Sequence, residues 1–150
     1  MQSATKQKAT IGLRPLPKTV DEIMAYQHES LIKRHMRDYS IPREEAESCF
    51  VEMKRFLIVC SAIPGMKVAA EQVDNMWHTF LLFTKDYQAF CHDYLGRFIH
   101  HDPAGGFPAD TYPKTKSLIL ELFGGINERF WPEKAHADCE GSGTSSGCGG

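Results

Sequence analysis

Apolar residues recur at helical spacing through most of the chain, and no stretch sustains the alternation of a half-buried strand. Thr19 followed three residues later by Glu22 has the form of a capping box, and neither Gly nor Pro interrupts the chain from there to Tyr39. One continuous helix is therefore expected, with Met24, His28, Leu31, His35 and Tyr39 on its inner face. Ser40 and Pro42 restart the chain. Between about Arg43 and Cys60, the residues Ala46, Cys49, Phe50, Met53, Phe56, Leu57 and Cys60 form one apolar stripe. Glu44, Glu45, Glu47, Glu52, Lys54 and Arg55 occupy the other directions and read as a solvated face. Pro64-Gly65 breaks this pattern, and a new helix begins near Ala69 or Ala70. Thr84 offers a cap for a second one, in which Tyr87, Phe90, Cys91, Tyr94 and Leu95 recur until Gly96 ends the pattern. The two form a tight hairpin. The segment from Phe98 to Pro113, with Gly105, Gly106 and three prolines, reads as an ordered loop that folds back over the hairpin. A last helix starts near Thr111 or Pro113 and carries Leu118, Ile119, Leu122, Phe123, Ile126 and Phe130. Gly124-Gly125 within it marks a kink, a close crossing or an early end.

The expected architecture is an all-α, single-domain bundle of about five helices built around a central helical hairpin. Residues 1–18 read as a flexible N-terminal arm, 19–132 as the helical domain, and 133–150 as a disordered tail rich in Gly and containing Cys139 and Cys148. A chain of 150 residues, 42% hydrophobic and 24% charged, suits one domain with a useful core. Its net charge of −2, with bases scattered among acids, gives no bias toward nucleic acid or an anionic membrane. No apolar run resembles a signal-peptide core or approaches the roughly 20 residues of a spanning helix, so a soluble cytoplasmic protein is expected. The five cysteines are odd in number and unevenly placed, unlike a secreted disulfide framework.

Candidate chemistry concentrates between Val73 and His101. Asp74 and His78 lie four apart and share one side of a helix that Met76, Trp77, Phe80, Leu81, Leu82 and Phe83 make apolar almost all round. Both polar groups are expected to be buried, and stranding either without a partner costs on the order of several kcal/mol. Three arrangements satisfy that requirement. In the first, His78 and Cys91 ligate zinc or iron, His100 or His101 completes the set, Asp74 ligates or orients an imidazole, and His35 supplies another imidazole. In the second, no metal is bound: Asp74 and His78 bridge helices, the Trp77 indole N–H meets a carbonyl, and Cys91 is simply buried. The protein then binds a protein or small-molecule partner through an aromatic loop around Phe107 and Tyr112, or through the tail. In the third, Cys91 is a nucleophile with His78, His92 or His100 as base. Cys49 and Cys60 read as small buried hydrophobes. Cys139 and Cys148 read as reactive tail thiols that could pair or clamp a metal.

The succession VDNMWH, TKDYQAFC and GRFIHHDP resembles the glycine-rich domain-containing protein-like family, whose members share Asp-x-x-Trp-His and Tyr-x-x-Phe-Cys segments upstream of a Gly. The matching residues are Asp74, Trp77, His78, Tyr87, Phe90, Cys91 and Gly96, and the resemblance extends over roughly residues 19–132. It implies the helical fold and leaves the activity open. Longer plant members are linked to stress responses, development and RNA binding through an additional RNA-recognition module. No aromatic strand signature of that module occurs here, so no nucleic-acid partner is expected.

Overall fold

The computed structural model describes residues 13–135 together with the backbone of 147–148. Most of the expected N-terminal arm and of the expected disordered tail lies outside the described residues. Six α-helices are formed among them: α1 (Val20–Met24), α2 (Glu29–Tyr39), α3 (Arg43–Ala62), α4 (Glu71–Leu82), α5 (Thr84–Phe90) and α6 (Thr111–Phe123). A π-helical turn, Cys91–Leu95, continues α5 to Gly96, whose φ of 82° ends it. The protein is thus all-α in class. None of these helices is long and apolar enough to cross a membrane.

The long helix α3 is the axis of the fold. Its stripe of Met53, Phe56, Leu57 and Cys60 packs with Val73, Met76, Trp77 and Phe80 of α4 in one continuous core. Each large side chain buried there contributes roughly 1.5–3 kcal/mol relative to exposure, so this seam is what holds α4 in place. The charged side of α3 is not wholly solvated. Glu52 and Lys54 are 3% and 2% exposed, because each finds a buried partner that is distant in sequence. The Trp131 indole N–H donates to Glu52 Oε1 at 3.0 Å, and Arg55 Nη1 donates to Oε2 at 3.0 Å. Burial pushes the Glu52 carboxyl up, and Arg55 and Trp131 oppose it.

Lys54 also explains why the expected helix over 20–39 is two helices. Its ammonium donates to the carbonyls of Met24 at 2.6 Å and Tyr26 at 2.8 Å, taking acceptors at the end of α1. The Tyr26 ring turns in against Phe90, at a centroid distance of 4.6 Å. His28 then adopts an extended backbone, and its Nδ1 accepts from the Leu31 N–H at 3.1 Å to start α2. Gly124, at φ 73°, gives α6 the early end. Phe130 and Trp131 re-enter the core beyond it. Tyr112 stacks on Trp131 at 6.0 Å, and its hydroxyl donates to the Pro132 carbonyl. Phe107 and Tyr112 are both buried, so they form no exposed aromatic loop.

Three two-residue strands were not foreseen: β1 (Lys67–Val68), β2 (His101–Asp102) and β3 (Gly147–Cys148). They pair antiparallel in the order β1-β3-β2. Pairings this short carry no periodic signal and arise from the tertiary placement of the loops.

Candidate metal centre

Two separate segments meet on one side of α4. The helix sets Asp74 and His78 one turn apart, and β2 delivers His101 to them across 27 residues of sequence. A buried relay aims β2. The Trp77 indole N–H donates to the Tyr87 hydroxyl at 3.0 Å, and that hydroxyl donates to the Ile99 carbonyl at 2.5 Å. The Trp77 partner is thus a phenol where a carbonyl was expected. Ile99, fixed in this way and 3% exposed, lies two residues before His101. Alternation along an extended segment puts those two residues on one side and His100 on the other. His100 is accordingly exposed, its ring 4.7 Å from that of Phe98.

His101 Nε2 lies 2.9 Å from Asp74 Oδ1, and His78 Nε2 lies 3.5 Å from Asp74 Oδ2. One ligand-type atom from each of Asp74, His78 and His101 falls within 4.8 Å of the other two. The imidazoles face each other at 4.5 Å, and the Trp77 ring covers His101 at 4.3 Å. The Asp74 and His101 side chains are 5% and 8% exposed, whereas His78 is 44% exposed, so the group is walled on the core side and open beyond His78. Partial burial lowers the His78 imidazole below its ordinary range, repulsion from His101 adds to this, and Asp74 opposes it. The neutral ring that results is the form in which histidine binds metals.

This arrangement can do one of two things. An ionised carboxylate only accepts hydrogen bonds, so in the ion-free form His101 Nε2 carries the proton shared with Asp74. Alternatively, a divalent cation takes the place of that proton. Ligands about 2.0–2.1 Å from a tetrahedral ion lie about 3.3 Å from one another. Each imidazole here reaches a different oxygen of Asp74, at 2.9 and 3.5 Å, and the three donors lie within 4.8 Å of one another, so gathering them on one ion calls for the carboxylate and rings to reorient.

The other sequence candidates lie elsewhere. Cys91 is fully buried, with its thiol beside the Ile99 backbone and Tyr87. Burial pushes that thiol up, against the accessible thiolate that nucleophilic chemistry requires. His92 is on the surface beside Asp93. His35 is 2% exposed and braces α2 against α4: the Thr79 hydroxyl donates to the Asn75 carbonyl, so His35 Nδ1, 2.8 Å away, donates to Thr79 Oγ1. Burial lowers His35 to about 4 and keeps it neutral. Cys49 donates to the Gln72 carbonyl at 3.2 Å, as a packing residue would. The Tyr87 hydroxyl ties the Trp77 turn to β2; helical spacing placed Tyr87 in the core and the resemblance counted it among the matching residues, but neither assigned it this role. Its spacing from Trp77 gives no sign of the contact.

No curated protein and no solved structure matches this chain. The model of the UCP032817-like family matches residues 18–118, a span that begins just before α1, runs into α6 and contains Asp74, His78 and His101. The protein therefore belongs to the UCP032817-like family.

Proposed function

We propose that this protein binds a divalent transition metal, zinc or ferrous iron, through His78 Nε2, His101 Nε2 and the Asp74 carboxylate. The observation that carries the reading is the convergence of these three donors from α4 and β2 to within 4.8 Å, with one side open. Two imidazoles with one carboxylate form the donor set shared by open zinc sites and non-haem ferrous sites, and it disfavours the all-oxygen preferences of magnesium and calcium. The relay from Trp77 through Tyr87 to Ile99 supports the same reading, because it holds β2 rigidly and prepays the cost of assembling the ligands. Asp74, Trp77, His78 and Tyr87 are also the residues that carry the resemblance to glycine-rich domain-containing proteins, and we extend the proposal to that kinship. Binding would release the proton between His101 and Asp74, so affinity should fall at acid pH.

A second reading is favoured by the 2.9 Å contact between His101 and Asp74, which is complete without an ion. In that reading the group is a structural clasp and the protein is a metal-free helical interaction module. Elemental analysis of full-length protein, purified without an affinity tag and dialysed against Zn2+ or anaerobic Fe2+, separates the two. The proposal expects stoichiometric metal in the wild type and loss of it in His78→Ala and His101→Ala. A wild type that stays metal-free under both conditions rejects it.

A further inference from the structure

We propose that the open side of this centre takes a small aliphatic carboxylate, one oxygen on the ion and the other accepting from the Tyr39 hydroxyl; the inference rests on the metal-binding reading above. The geometry is that of two helices running in opposite directions. His28, just before α2, packs on Phe83 at a ring distance of 4.9 Å and on Phe80 at 6.0 Å, whereas His35, two turns later, meets Thr79 at 2.8 Å. Advance along α2 is therefore retreat along α4, and Tyr39, one turn beyond His35, comes to the level of Asn75 and Asp74. Its ring lies on that of His35 at 4.5 Å. Tyr39 ends α2, because Ser40 turns the chain away in the left-handed region at φ 55°. It therefore stands at a rim, 39% exposed.

Helical phase shows which rim. Successive residues of a helix point about 100° apart, so His78 projects between Trp77, which packs beneath His101, and Thr79, which bonds His35. β2 with His101 and α2 with Tyr39 thus flank the exposed strip of α4 on opposite sides. The charge of Asp74 reaches the phenol across that strip: partial burial pushes the Tyr39 hydroxyl up, and Asp38 and Asp74 add to the effect. The hydroxyl keeps its proton at neutral pH and is free to donate, since among the described residues no hydrogen bond takes it up. A divalent ion held by one carboxylate and two neutral imidazoles retains one net positive charge, which a monoanion neutralises. A carboxylate supplies that charge with two oxygens, one for the ion and one for the phenol. Leu82, one turn beyond His78 and at the opposite end of the strip from Tyr39, is 57% exposed and offers apolar surface to the chain of such a ligand.

Full-length protein loaded with Co2+ and titrated with butyrate or acetate tests this, read by the visible absorption of the bound cobalt. Butyrate should change the wild-type spectrum saturably. Tyr39→Phe keeps the ring on His35 and should bind Co2+ as wild type does, yet bind butyrate about tenfold or more weakly, as loss of a hydrogen bond to a charged group requires. Acetate, shorter by two methylenes, should bind wild type about tenfold more weakly than butyrate, and Leu82→Ser should narrow that gap without altering acetate binding. Circular dichroism of each variant checks that the helices are intact. A cobalt spectrum indifferent to both carboxylates overturns the ligand assignment and leaves the three-donor centre standing. Unchanged butyrate affinity in Tyr39→Phe overturns the role of Tyr39, and equal affinities of wild type for acetate and butyrate overturn the aliphatic preference. Failure of the wild type to bind Co2+ at all overturns the metal reading together with this one.

Discussion

Replacing Tyr87 by Phe removes a single oxygen and tests the link between the core and the candidate centre. That oxygen accepts from the Trp77 indole at 3.0 Å and donates to the Ile99 carbonyl at 2.5 Å, and all three residues are at most 3% exposed. The Phe ring preserves the packing against Phe80 at 5.1 Å and Phe98 at 5.3 Å, so the change isolates the two hydrogen bonds. Each buried group left without a partner costs about 1–3 kcal/mol, and the pair should cost roughly 2–5 kcal/mol. In a domain of this size, 1 kcal/mol moves the melting temperature by roughly 2–4 °C, so differential scanning calorimetry should show a fall of about 5–15 °C. Zinc affinity, read by competition with a chromophoric chelator, should also drop by about tenfold, because Ile99 no longer fixes the approach of His101. Tyr112→Phe is the matched control. It loses one bond, to the Pro132 carbonyl and not to the segment that carries His101, and should lower the melting temperature less without altering zinc affinity. A Tyr87→Phe protein that melts within about 2 °C of wild type, or that binds zinc as tightly, refutes the relay as the device that positions β2.

His35 gives a pH dependence whose sign is fixed. Burial lowers its folded value to about 4 from an ordinary 6.5, so the unfolded chain protonates first as pH falls. The stability His35 supplies is full above about pH 6.5 and is lost on descending to about 4, a loss on the order of 3 kcal/mol. Urea unfolding across that range should show a shallower decline in His35→Gln than in wild type, and parallel declines would disprove the assignment. Gly96→Ala should destabilise by about 1–3 kcal/mol in chemical denaturation, since φ is 82° there and an added Cβ would meet Pro17 Cδ at 3.0 Å. Lys54→Met, which strands the carbonyls of Met24 and Tyr26, should cost about 1–3 kcal/mol. A neutral Lys54→Met would mean those carbonyls find water.

The parts of this structure that were legible in the sequence are those encoded locally. The apolar stripe of α3, the α4–α5 hairpin and the Thr19–Glu22 capping box depend on spacing within a few residues, and each forms, except that Thr84 is the first residue of α5 and Phe83, with no side-chain cap bond, takes the cap position expected of it. The four-residue step from Asp74 to His78 likewise gives a shared helical face. What was hidden depends on partners far along the chain. Lys54 ends α1 from 28 to 30 residues away, and Trp131 reaches Glu52 across 79, so neither the break before α2 nor the burial of two charges on α3 leaves a periodic trace. The choice between His100 and His101 turned on strand parity, which requires knowing that Ile99 is anchored by Tyr87. Cys91 has the ligand chemistry of a metal site, but the same helical phase that puts it next to Phe90 in the core turns it toward Tyr87 and Ile99.

The most direct test of the central claim is diffraction from crystals of the full-length protein grown with Zn2+, with data collected on both sides of the zinc absorption edge. The account predicts one anomalous peak bounded by His78 Nε2, His101 Nε2 and the Asp74 carboxylate, at about 2.0–2.2 Å from each. A map with no peak there, with His101 still hydrogen-bonded to Asp74, would contradict it.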